Sequence, residues 1–215
     1  MAVGKAATSC ECTRVSLDAM HACAKAYDIT HISYAHEVQV SILCGLLFDE
    51  LHSLFPTYTE QERCMLTCAG LLHDIGTSRG TKGHHKASYE LIRIEGKKNQ
   101  NFGLSDESLE IVALIARYHR KAIPSMEHVA YAMLPPEAQD RVRKLSALLR
   151  IADGLDYVHD TAISDLKCTI EDTQIKCQCI GNNNWSIMND MDRAMVKAVP
   201  FIEEFQKKIY FWIHE

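Results

Sequence analysis

GLLHDIGTSRGTKGHHKASYELI, residues 70–92, sets an apolar run directly against His73-Asp74, follows it with a glycine-punctuated loop, and then brings two more histidines. A solvated helix end would account for a lone His-Asp pair. The stretch decides the fold because it joins two helices through chemistry-bearing residues, and its neighbours have to say what that chemistry is. Upstream, TEQERCMLTCAGLLHD opens with Thr59 and reaches Glu62 three residues later, the pattern of a capping box. Met65, Leu66, Ala69 and Leu72 then recur at helical spacing. Downstream, ASYELIRI resumes a helix that KKNQNFG breaks.

Outward from there the chain reads as mainly helical. Helices are expected over 16–27 and from 34 to about 54, where His36, Val40, Leu43, Leu47 and Leu51 share a face and Pro56 ends the run. SDESLEIVALIARYHRK carries acids in its first turn and bases in its last, as the helix dipole favours. A long helix is expected from Arg141 to about His159. DLKCTIEDTQIKCQCIG then alternates like two strands around an Asp-Thr turn, and MDRAMVKAVPFIEEFQKKIYFW closes the chain as a helix bent or split at Pro200. The expected organisation is a helical body over 1–163, frayed over 1–15, with a β-hairpin-plus-helix tail over 164–215 packed on it.

Composition narrows the function classes. The 215 residues are 47% hydrophobic with a net charge of −5, so no extended basic surface is offered to nucleic acid. The nine cysteines are odd in number and lack a C-x-x-C pair; disulfides are not expected, and a reducing, cytoplasmic setting is. Cys10-Glu-Cys12 and Cys177-Gln-Cys179 read as incidental. No apolar run is long enough to span a bilayer, and the N-terminus lacks a signal-peptide core. The final helix, with Phe201, Phe205, Phe211 and Trp212, can pack on its own body or on a second copy in a homodimer.

The informative residues are polar ones on apolar stripes. Asp153 continues the stripe Val142, Leu145, Leu149, His119 continues Ile111 and Ile115, and His36 precedes Val40 by one turn. An unpaired buried carboxylate costs several kcal/mol, so these positions call for cations or metals. His21, His31, His52, His128, His159 and His214 lie on no such stripe and read as surface or loop residues. A His and Asp set of this kind suits borderline to hard divalent ions.

The order His36, His73-Asp74, His84 or His85, His119, Asp153 resembles the HD superfamily of metal-dependent phosphohydrolases. GLLHDIG, HHKASYELI, IVALIARYHRKAIPS and VRKLSALLRIADGLD are more specifically similar to the C-terminal half of the exopolyphosphatase / guanosine pentaphosphate phosphatase (Ppx/GppA) family, from about Tyr34 to His159. The resemblance implies an HD-type helical bundle in which His36, His73, Asp74 and Asp153 hold one metal. Asp74 would bridge to a second ion held by His119 and His84, which shares a face with Ser88. Two ions are implied, drawn from Mn, Fe, Co, Zn or Mg, with His73 and Asp74 catalytic. Arg79, Lys82, Arg120 and Lys121 are the candidate contacts to a small phosphorylated substrate, a nucleotide by expectation. The sugar-kinase-like half that carries phosphatase chemistry in those proteins has no counterpart in these residues, so its polyphosphate activity does not carry over. Thr77 and Arg120 stand where cyclic-dinucleotide phosphodiesterases have Lys and His, which argues against that activity. The alternative expectation is a non-catalytic, metal- and nucleotide-binding regulatory module.

Overall fold

The computed structural model describes residues 15–28 and 33–213. The expectations for residues 1–14, with Cys10-Glu-Cys12, and for His31 and His214 lie outside them. Seven helices come first: α1 (Leu17–Tyr27), α2 (Ser33–Leu51), α3 (Glu60–Leu72), α4 (His84–Lys97), α5 (Asp106–Arg117), the single turn α6 (Val129–Ala132) and α7 (Pro136–Gly154). Strands β1 (Ile163–Ile170) and β2 (Gln174–Gly181), helices α8 (Asn184–Lys197) and α9 (Val199–Phe205), and strand β3 (Lys208–Ile213) follow. The protein is mainly α with a small C-terminal sheet.

Local chemistry starts and stops the helices that matter. Thr59 caps α3, and the Glu62 carboxylate accepts from the Thr59 backbone N–H at 2.7 Å, which completes the capping box. The buried Glu62 also accepts from Arg141 on α7 at 2.9 Å, so one cap ties two helices. Met65, Leu66, Ala69 and Leu72 are buried against α2 and α5. Helix α3 ends at Leu72 with His73 at its C-cap, and a 3-10 turn over Ile75–Arg79 leads towards α4.

Gly76 lies on that turn and is pressed against the start of α4. A Cβ there would sit 2.2 Å from the His84 carbonyl oxygen and 2.4 Å from the Ser88 backbone nitrogen, while the Gly76 N–H donates to Ser88 Oγ at 2.9 Å. Gly154, the last residue of α7, does the same for the tail: a Cβ would lie 2.6 Å from Ala194 Cα on α8. These two close approaches bring the chain's separate segments to one place.

Three differences from the sequence reading stand out. Helix α7 runs over Pro136–Gly154 rather than continuing to about His159, because Leu155 closes it with N–H bonds back to the Ile151 and Ala152 carbonyls. The closing stretch is not helical throughout: the chain breaks at Ala198 before Pro200, and Gln206 at φ 52° ends α9. Lys208–Ile213 then forms β3, parallel to β2 in the order β1-β2-β3. Ile209 and Phe211 are buried and alternate with exposed Lys208, Tyr210 and Trp212, a strand's period of two. Finally, Cys168 and Cys177 are opposite each other in the β1–β2 register and form a disulfide. That pairing corrects the expectation of no disulfides; adjacency came from the hairpin register, which cysteine spacing does not reveal.

Candidate metal and phosphate site

The ends of five helices, with the turn after α3, converge on one site. His36 is in the first turn of α2, His73 caps α3, and Asp74 opens the 3-10 turn. His84 is the first residue of α4, His119 lies two residues past the end of α5, and Asp153 is the penultimate residue of α7. All four histidines are buried.

Their donor atoms form two groups. His36 Nε2 and His73 Nε2 lie 3.6 and 4.0 Å from Asp153 Oδ1. His84 Nε2 and His119 Nε2 lie 3.1 and 3.5 Å from Asp74 Oδ1. His73 Nε2 is also 3.8 Å from Asp74 Oδ1, so the groups adjoin through the His73-Asp74 doublet.

The opposite ring nitrogens explain what this arrangement can hold. Nδ1 of His73, His84 and His119 lies 2.7, 3.0 and 2.7 Å from the carbonyls of Gly70, Thr81 and Ala116. A carbonyl only accepts, so each Nδ1 carries the proton and each neutral Nε2 presents a lone pair inward. His36 Nδ1 is held 2.8 Å from the buried Asp156 carboxylate, which also accepts from the Thr161 N–H at 2.9 Å. His84 and His119 thus aim two lone pairs at each other across 3.2 Å. Among the described residues, Asp74 Oδ1 and His73 Nε2 are buried without a hydrogen-bond partner. Lone pairs facing lone pairs repel unless a cation sits among them. Two nitrogens bound about 2.0–2.1 Å from one ion lie roughly 3 Å apart, so the residues present fit a divalent metal.

Protonation follows from the same crowding. Burial lowers His119 to about 3 and lowers His73, and both are neutral at pH 7. Burial also opposes a charge on His36, but the carboxylates of Asp153 and Asp156 outweigh it and raise that histidine to about 10. Burial works against ionising Asp74, yet its carboxyl is held well below the carboxylate range, which takes positive charge among the rings of His73, His84 and His119 around it. Asp153 is likewise held low against its burial, chiefly by Lys197 and then His36.

The cavity has a volume of about 470 Å³ and contains His36, Asp74, His84, His119 and Asp153 in its wall. Of the four expected anion contacts, only Arg120 lines it, with its guanidinium 3.2 Å from His84 Nε2. Arg79 instead pairs with Glu90 at 3.1 Å, and Lys82 and Lys121 are exposed away from the lining. His85 is buried beside the site, but His84 is the histidine at Asp74.

Three residues in this cavity were missed from the sequence. Lys197 on α8 donates to Asp153 Oδ2. Arg193, one turn earlier on α8, lines the same wall. His159, read as a loop histidine, stacks on His36 with ring centroids 3.9 Å apart and planes 7° apart. Lys197 and Arg193 gave no signal, because a solvated helix face predicts the same residues. Asp156 and His159 had one: they follow Asp153 by three and six residues, and the structure turns the chain back there.

The fold is a helical bundle that gathers imidazoles and carboxylates from several helix ends into two groups that could each hold a metal ion. Residues 20–197 match the family described as Ppx/GppA phosphatase, domain III, and the chain belongs to that family. No curated protein matches the chain.

Proposed function

We propose that this protein is a divalent-metal-dependent phosphohydrolase of the HD superfamily, acting on a phosphoester or phosphoanhydride of a small substrate, a nucleotide. The observation that carries the reading is the set of histidine Nε2 atoms turned inward around Asp74 and Asp153, each ring fixed by a bond at its own Nδ1. His36, His73 and Asp153 would hold one ion and Asp74, His84 and His119 a second, of Mn, Fe, Co or Zn type. Mg, which favours oxygen ligands, fits this histidine-rich set less well. Bound ions supply Lewis acidity towards a phosphoryl oxygen and make water a nucleophile at neutral pH.

The chain's own residues do the rest. The two carboxylates offset part of the cationic charge, leaving an excess that attracts an anion. Arg120 beside one group and Lys197 at the other would meet phosphoryl oxygens by charge-assisted hydrogen bonds. Asp156 orients His36 and keeps its Nδ1 occupied, so that ring offers Nε2 alone.

One observation favours the second reading, a non-catalytic metal- and nucleotide-binding module: Lys197 competes with any cation for Asp153. Elemental analysis with a phosphate-release screen over nucleotides, pyrophosphate and polyphosphate, Mn supplied, separates the two. The wild type is expected to carry metal and release phosphate. Asp74→Ala should lose both while keeping its helical circular dichroism, and full turnover in that variant would refute the site. Metal without phosphate release from any substrate would favour the regulatory module.

A further inference from the structure

The cavity's wall changes character where α7 meets α8. Around the His/Asp groups it is buried and polar. At this edge it carries Tyr157, 52% exposed although large and aromatic, with the Arg193 guanidinium 4.8 Å from the ring centroid. The exposed His159 ring lies on the same wall, stacked on His36. This edge is held in place: the buried Asp190 of α8 accepts from the Val158 N–H at 2.9 Å, between Tyr157 and His159. Asp156 anchors the same segment at Thr161. A single exposed tyrosine means little. Here the guanidinium lies over one face of the tyrosine ring at the mouth of an anion-attracting cavity, so a cationic, aromatic edge flanks the groups that would meet a phosphate.

We propose that this edge is a nucleoside monophosphate subsite, with the base stacked on Tyr157 beside Arg193 and the phosphate meeting Lys197. The inference rests on the nucleotide part of the function proposed above and adds where the base lies. Lys197 and Arg193, four residues apart, are neighbours on one side of α8, so one turn of helix spans phosphate and base. Stacking tolerates any base, because every base has a π face. The subsite therefore selects for a nucleoside over a bare sugar phosphate rather than for one base over another.

Calorimetric titration with AMP and with ribose 5-phosphate, on chelator-treated protein, tests this without turnover. The wild type is expected to bind AMP at least about tenfold more tightly, within the range of base–aromatic stacking. Tyr157→Ala should bring the two ligands within about twofold of each other, and Tyr157→Phe should restore the preference. Lys197→Gln should weaken both ligands together. Equal binding of the two ligands by the wild type, a preference that survives Tyr157→Ala, or no binding of AMP at millimolar concentration would overturn the subsite. Phosphate release with Mn supplied reads the hydrolase separately, so a protein that binds AMP in this way and releases nothing keeps the subsite and loses the hydrolase.

Discussion

Asp190 illustrates how a residue far from any motif carries a measurable load. It is fully buried on α8, and one oxygen holds the Val158 N–H while the other has no hydrogen-bond partner among the described residues. Burial, with Asp156 and Asp160 nearby, pushes its carboxyl up to about 6 despite the Val158 bond. In the unfolded chain it titrates near 3.9. Between about pH 4 and 6 the folded protein thus keeps a proton that the unfolded chain has lost, and this group's contribution to stability falls as pH rises through that window. Asp190→Asn removes the dependence. Its melting temperature should match the wild type near pH 4 and exceed it by pH 7; a gap that does not change with pH would refute the account. At this scale the sequence was legible where a polar residue interrupted an apolar stripe, as at His36, His119 and Asp153. It was silent for Asp190 and Lys197, whose meaning lies in partners distant along the chain, 44 residues in the case of Lys197 and Asp153.

Among the elements, the turn between α3 and α4 is the most constrained. Gly76→Ala would place a methyl group against the His84 carbonyl and the Ser88 nitrogen, backbone that cannot swing aside. Overpacking of this kind costs about 1–3 kcal/mol. The expected result is a lowered melting temperature together with weakened binding at the Asp74 group, since α4 must retreat and takes His84 with it. A variant that melts lower but keeps full Mn affinity would separate the glycine from the site. Helices α2, α3 and α5 were readable because apolar residues recur in them at helical spacing, although burial extends beyond one face, and the α3 cap stood in the sequence as Thr59 and Glu62. Strand β3 was not. Its six residues are too few for the period to separate strand from helix, and its partner is a parallel strand reached only by crossing α8 and α9.

Taken whole, the molecule does not divide cleanly where the sequence pattern changes. Ile187, Ala194 and Phe201 of α8 and α9 belong to the same buried core as Leu145 and Leu149 of α7. A fragment ending at residue 163 would expose that surface and lose Lys197 and Arg193 from the cavity. It is expected to bind a hydrophobic dye and to melt without a sharp transition; a cooperative transition at the full-length temperature would show that the tail is an accessory. The close approach of Gly154 to Ala194 that joins the two parts also bears on the order of events during synthesis. A chain emerging from the ribosome can bury His36, His73 and His119 while Asp153 still lacks its lysine. The cup closes on that flank only after α8 has cleared the exit tunnel. Any contact between Lys197 and an anion in the cavity therefore waits until α8 has folded onto α7.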